Sequence, residues 1–183
     1  MYTGRRVRLR RTDPARDLED RYRWMNDPAT LEWLGMRPAR LSREEVRNYL
    51  EETARNSSNL VEFAIETLEG RHIGGATLRN FNHVARSAEF AISIGEAEYR
   101  GKGYGTEVTA LMAQIGFEDF NLNRIWLIAY APNVGAIRAY EKAGFVREGV
   151  ARQYAYLHGR YVDGVYMAIL RSDWEAAKGR VHG

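Results

Sequence analysis

The stretch Tyr99-Arg-Gly-Lys-Gly-Tyr-Gly-Thr106 is the one best equipped for chemistry. Its three alternate glycines let the backbone approach a ligand closely and turn successive amides into one concavity. The residues after it have a helical period, so a helix N-terminus adds unpaired amides and the positive end of a dipole. Arg100 and Lys102 contribute formal positive charge. The sum is an anion site suited to a phosphate or pyrophosphate, against the plainer reading of a connector that happens to contain glycine. Two familiar phosphate loops are excluded. The P-loop needs a lysine after its last glycine, which Gly105-Thr106-Glu107 lacks. The dinucleotide fingerprint Gly-x-Gly-x-x-Gly does not match Gly101-x-Gly103-x-Gly105.

Other reactive side chains are sparse. The chain has no cysteine, so it has no thiolate nucleophile, thiolate zinc site or disulfide framework, and it needs no oxidising compartment. His72, His83, His158 and His182 lack metal-ligand spacing, and no metal is expected. Ser57 and Ser58 lie in a polar loop without a nucleophile elbow, which leaves a hydrolase unsupported. Glu89 alternates with Ala91 and Ser93 on one strand face, opposite Phe90, Ile92 and Ile94. Its small neighbours leave room for a substrate, so it is a candidate to help deprotonate an amine; an ion pair with Arg79 or Arg86 is the competing explanation. Tyr140 shares a helical face with Ala136, Ile137 and Ala143, as a core aromatic would.

The elements that must position these groups follow from local signals. Val7 to Arg11 reads as a strand, and Thr12 or Asp13 with Pro14 opens a helix to about Asn26. A short second piece carries Leu31, Trp33 and Leu34 before Gly35. Ser42-Arg-Glu-Glu is a capping box, and its helix runs to about Asn56. Strands Leu60 to Thr67, His72 to Asn80 and Ala88 to Ile94 then form a meander. Gly74-Gly75 marks a bulge or a close backbone approach in the second of them. A helix from about Gly103 to Asp119, a buried strand Arg124 to Tyr130 and a helix Asn133 to Ala143 follow, the last stopped at Gly144. Strands Val146 to Leu157 and Tyr161 to Leu170, joined at His158-Gly159, close the chain. The fold class is mixed α/β around one sheet, in a single domain over residues 1–183.

Charge narrows the partners. Residues 1–43 hold 11 basic and 6 acidic side chains, 44–119 hold 7 and 13, and 120–183 hold 9 and 5. The Arg-rich start alternates with Val7 and Leu9 and reads as a strand with a solvated cationic face, so nucleic acid is not an expected partner. No apolar stretch approaches the ~20 residues of a membrane span, and no apolar core follows the charged N-terminus. A cytoplasmic protein without membrane contact is the expectation.

Arg100-Gly101-Lys102-Gly103-Tyr104-Gly105 matches every position of Arg/Gln-x-x-Gly-x-Gly/Ala, the acyl-CoA loop of the GNAT superfamily of N-acetyltransferases. The block from Asn133 to Phe145 resembles that family's second signature, an Asn opening a helix with a Tyr seven residues on. The ending from His158 to Trp174 is similar to the branch of ribosomal-protein and spermidine N-acetyltransferases. The resemblance covers nearly the whole chain. It implies a central, mostly antiparallel sheet of six to seven strands, splayed in the middle and flanked by helices. It implies acetyl-CoA as acyl donor, held at its pyrophosphate by Arg100, Gly101, Lys102, Gly103, Tyr104, Gly105 and Thr106. By the same resemblance Ile92, Ser93 and Ile94 pair with the pantetheine arm, Asn133 touches it besides capping its helix, and Tyr140 is the general acid. Candidate acceptor contacts are Glu89, Trp33, Asn80 and Tyr156, with Trp24 and Asn82 besides; all of these but Glu89 are more readily explained as packing or surface. The implied acceptor is a primary amine of a small molecule or a protein N-terminus, acetylated by direct transfer in a ternary complex, and a homodimer is possible. The alternatives are a non-catalytic CoA-binding module on the same fold and a nucleotide-phosphate binder.

Overall fold

Two Asp-Pro pairs open the first two helices in the same way. Asp13 accepts from the amides of Ala15 (3.0 Å) and Arg16 (3.2 Å) to start α1 (Pro14–Met25). Asp27 accepts from Ala29 and Thr30 to start α2 (Pro28–Leu31), which continues into a 3-10 turn at Glu32–Leu34. Each carboxylate satisfies first-turn amides that have no intrahelical acceptor. The computed structural model describes residues 1–34, 40–55 and 57–181, with side chains to residue 178. Gly35, Asn56 and His182, which figured in the sequence expectations, lie outside them. At α3 (Arg43–Ala54) the capping box is reciprocal, with Glu45 N donating to Ser42 Oγ (3.2 Å) and Ser42 N to Glu45 Oε2 (2.7 Å).

The described strands are β1 (Tyr2–Thr3), β2 (Val7–Arg11), β3 (Leu60–Thr67), β4 (His72–Asn82), β5 (Ser87–Ile94), β6 (Arg124–Tyr130), β7 (Val146–Leu157) and β8 (Arg160–Leu170). They form one sheet in the order β1-β2-β3-β4-β5-β6-β8-β7. The sheet has eight strands rather than six or seven; the two-residue β1, too short to leave a pattern, is the addition. Pairing is antiparallel everywhere except β5–β6, where the parallel register covers only Ser87–Glu89 against Arg124–Trp126. Beyond Glu89 the two strands separate, which is the expected splay. The crossover between them is α4 (Tyr104–Glu118), as parallel neighbours require.

α4 sets Val108, Met112 and Ile115 against Leu9, Ile65, Leu78, Phe90, Ile125 and Leu127 on one sheet face. α1 and α3 join through Leu18, Val46 and Leu50 as a smaller cluster. Helix α5 (Val134–Lys142) sits beyond β6 and places Ile137 in the main core. A C-terminal helix α6 (Arg171–Val181) was not signalled by the sequence pattern, since its apolar anchor is the single Trp174, whose ring lies 5.2 Å from that of Phe117.

Gly74 and Gly75 serve close approach: a Cβ on Gly74 would fall 2.1 Å from Ser93 O and one on Gly75 2.3 Å from Arg21 Nη1. The Arg-rich start departs from the solvated face expected of it. Arg10 is buried, donating to Asp17 (2.5 and 3.0 Å) and Glu66 (2.5 Å). Burial pushes the Asp17 carboxyl up, but hydrogen bonds from Arg10 and the Asp13 amide outweigh it and hold it below the carboxylate range.

Candidate active site

Where β5 and β6 part, β4 still pairs with one edge of β5, through Gly74–Ala76 against Ile92–Ile94. The other edge of Ile92, Ser93 and Ile94 borders a cavity of about 540 Å³. Its wall also includes Arg100, Gly101, Gly103, Gly105 and Thr106 from the loop and first turn of α4. Asn133, Ala136, Ala139 and Tyr140 line it from α5 and its cap, and Thr30 and Trp33 from the α2 region. Residues as far apart in the chain as Ala29 and Lys142, 113 positions, thus share one hollow.

The loop's shape is that of an anion cradle. Gly101 (φ +70°) and Gly103 (φ +85°) take the left-handed backbone that other residues disfavour. A Cβ at Gly101 or Gly105 would meet no atom within 4 Å, so the glycines face open space. The amides of Tyr104, Gly105 and Thr106 belong to the first turn of α4, where no i−4 carbonyl exists. Arg6 braces the loop from the β1–β2 turn: Nη1 donates to Lys102 O (2.7 Å), Nε to Glu107 Oε2 (3.1 Å), and its guanidinium lies 5.1 Å over the Tyr104 ring.

The candidates divide. Lys102 and Tyr104 are outside the cavity wall; the Tyr104 ring braces the loop against Tyr99, 5.3 Å away. The Arg100 guanidinium turns into the protein, donating to Ile94 O (2.8 Å), Gly95 O (2.9 Å) and Thr30 Oγ1 (2.8 Å). It thereby ties the loop to the end of β5 and to α2. Asn133 Oδ1 caps α5 by accepting from Ala136 N (3.1 Å), which leaves its NH2 group uncommitted by the cap.

Glu89 does not reach the cavity wall. Its two oxygens accept from Arg79 Nη2 (2.6 Å) and Asn80 Nδ2 (2.7 Å), the arrangement expected of a structural pair. Asn80 is consumed in the same contact. Tyr156 is exposed and stacks edgewise on Tyr161 at 5.1 Å, also outside the wall. Trp24 is packing: it is 5% exposed and its ring fills the space over Gly95. Asn82 Oδ1 closes a turn by accepting from Ala85 N (2.9 Å). Trp33 does line the cavity, 40% exposed.

Tyr140 stands among aromatic rings, edge-on to Phe90 (6.2 Å) and tilted to Phe145 (6.1 Å). Burial pushes its phenol up to about 12. Sequence reading missed Thr30, Gly135, Ala139, Arg138 and Lys142 in the wall. The i, i+4 pair Arg138 and Lys142 beside a small-residue helix face was a usable signal; Thr30 left none. Among the described residues no group of three or more His, Asp or Glu side chains is arranged to hold a metal, and no helix is long and apolar enough to cross a membrane.

Residues 6–146 match the family model for the acetyltransferase (GNAT) domain, and the chain belongs to that family. Over 114 residues it is 36% identical to the spermidine N(1)-acetyltransferase of Escherichia coli K12, covering 62% of this chain and 60% of that protein. It is 34% identical over 110 residues to a putative ribosomal N-acetyltransferase of Bacillus subtilis, covering 60% of each. The match thus spans about 60% of the length of these relatives. The fold extends further: the spermidine N-acetyltransferase of Vibrio cholerae, solved with CoA and spermine, superposes with a TM-score of 0.85 at 27% identity, over 94% of this chain and 99% of that one.

Proposed function

We propose that this chain is an acetyl-CoA-dependent N-acetyltransferase that acetylates a primary amine by direct transfer in a ternary complex. The observation that carries the reading is the continuity of one cavity from the glycine cradle to the parted strands, with Tyr140 in its wall. The residues present suit the donor. Open space beside Gly101 and Gly105 admits diphosphate oxygens to the first-turn amides, and the unpaired edge of Ile92–Ile94 offers backbone groups to an amide-bearing arm. Acetyl-CoA supplies the acetyl group already activated as a thioester.

The protein supplies position and a proton. Holding amine and acyl group in one cavity replaces a bimolecular encounter with an intramolecular one. Tyr140 keeps its phenolic proton at Oη throughout the neutral range and offers it to the sulfur as negative charge develops there. A free thiol has a pKa of ~8.5, well below that of this phenol, so the phenol acts by hydrogen-bonding the departing thiolate, and the proton that the attacking nitrogen loses as the amide forms balances the one gained at sulfur. No carboxylate or histidine lines the cavity among the described residues. Glu89 therefore anchors Arg79 in this reading, and the amine arrives already neutral.

Turnover of acetyl-CoA with a panel of amines, wild type beside Tyr140→Phe, tests this. The expected result is a loss of about 10²–10⁴ in turnover with CoA affinity retained. CoA binding by the wild type without acetylation of any amine would make the chain a binding module instead.

A further inference from the structure

The distribution of charge around the cavity sets the chemistry of the acceptor. Charged side chains in the cavity wall are Arg100, Arg138 and Lys142, all cationic. The carboxylates of Glu62 and Glu89 on the sheet face opposite α4, of Glu96 just past β5 and of Glu32 beside the cavity-lining Trp33 already have partners within the protein, His158 at 2.7 Å in the case of Glu32. Glu89 is held by Arg79 at 2.6 Å, and Glu62 is held by Arg21 and by the Tyr49 hydroxyl at 3.2 Å. Glu96 accepts from Arg23 and, at 2.9 Å, from Arg71. A second ammonium on the acceptor would find no uncommitted carboxylate among these and would sit near the guanidinium groups of Arg21 and Arg79 on that face, which disfavours it.

The same face presents aromatic surface. Tyr130, the last residue of β6 and three positions before the cavity-lining Asn133, lies 6.0 Å ring to ring from Tyr154. Tyr154 rests on Gly164, where any Cβ would come within 2.8 Å of its ring. Arg79 is close enough to Tyr154 and Tyr49 to feel both phenols. Aromatic faces of this kind receive a flat apolar group.

We propose that the acceptor is an amine with a single amino group and an aromatic flank, rather than a polyamine. The proposal rests on the acetyl-transfer reading and narrows it. Two sources share this chemistry, a free arylalkylamine and the amino end of a peptide beginning with an aromatic residue.

Initial rates with acetyl-CoA on the wild type, comparing phenethylamine, a phenylalanine-initiated tripeptide amide and spermidine, decide the matter, and the first two separate the sources. At least one aromatic monoamine is expected to exceed spermidine in kcat/KM by about 100-fold, the size of two tenfold steps in affinity. Calorimetry with spermine in the presence of CoA is expected to give no saturable heat. Spermidine preferred over both monoamines, or tight spermine binding, overturns the acceptor class and leaves acetyl transfer standing. No acetylation of any amine overturns the transfer reading and this proposal with it. Arg79→Met, which frees Glu89, is expected to shift the ratio of spermidine to monoamine about tenfold toward spermidine; an unchanged ratio in a folded variant counts against the charge argument.

Discussion

At Tyr140 burial pushes the phenol up to about 12, and that fixes the pH behaviour of the proposed acid. The acid form is fully present below the ordinary tyrosine value of about 10 and is lost only as pH rises through the raised one. Rate profiles are therefore expected to show no alkaline limb from this residue below about pH 10. A limb near pH 8–9 that vanishes in Tyr140→Phe would contradict the assignment. The acidic limb is expected to belong to the acceptor, since no carboxylate or histidine lines the cavity among the described residues. With two amines of different basicity, the midpoint of that limb in kcat/KM is expected to follow each amine's own pKa. A midpoint fixed across amines would instead reveal a titrating group of the enzyme.

At the scale of elements, local chemistry decides much. Replacing Ser42 with Ala removes half of a reciprocal cap at the start of α3 and is expected to cost about 1 kcal/mol, read as a shift in the denaturation midpoint at unchanged slope. An unchanged midpoint would mean that tertiary packing alone sets this helix end. The caps at Asp13 and Ser42 and the glycine turn before α4 were legible because each is a contact within a few residues. The Arg79–Glu89 pair was only half legible: the sequence left the partner open between Arg79 and Arg86, beside a role for Glu89 toward the amine, and it is the register of β4 and β5 that sets Arg79 directly opposite. Contacts made only on folding were not. Thr30 enters the cavity wall where the Arg100 guanidinium, 70 positions away, reaches across to α2. β1 is too short for a period, and α6 too polar. Trp24 looked available to a substrate because nothing in the chain near it announces that Gly95 leaves room for its ring.

At the scale of the whole molecule, a buried network of charge lies apart from the cavity wall. Arg10, Asp17, Glu66 and His72 are buried together between β2, α1, β3 and β4. Burial lowers the His72 pKa, and the pairs with Arg10 hold Asp17 and Glu66 below their ordinary values. In all three cases the unfolded chain binds protons more readily. Their stabilisation is therefore present above the unfolded values and is lost as pH falls, first below about 6.5 for His72 and then below about 4 for the carboxylates. Thermal melting is expected to shift down in that order. Asp17→Ala, which leaves the buried Arg10 half-paired, is expected to cost about 3–5 kcal/mol. A melting temperature flat from pH 7 to pH 4 would contradict this view of the network.

The cradle at residues 101–106 is tested most directly by titrating CoA into the wild type and into Gly105→Val in a calorimeter. A Cβ at Gly105 meets no protein atom within 4 Å, so the variant is expected to fold, while its side chain enters the space assigned to the diphosphate. The predicted result is one saturable site on the wild type, weakened about 100-fold or more in the variant, with both proteins melting alike. Equal affinity in the two, or no binding by the wild type, would contradict the account.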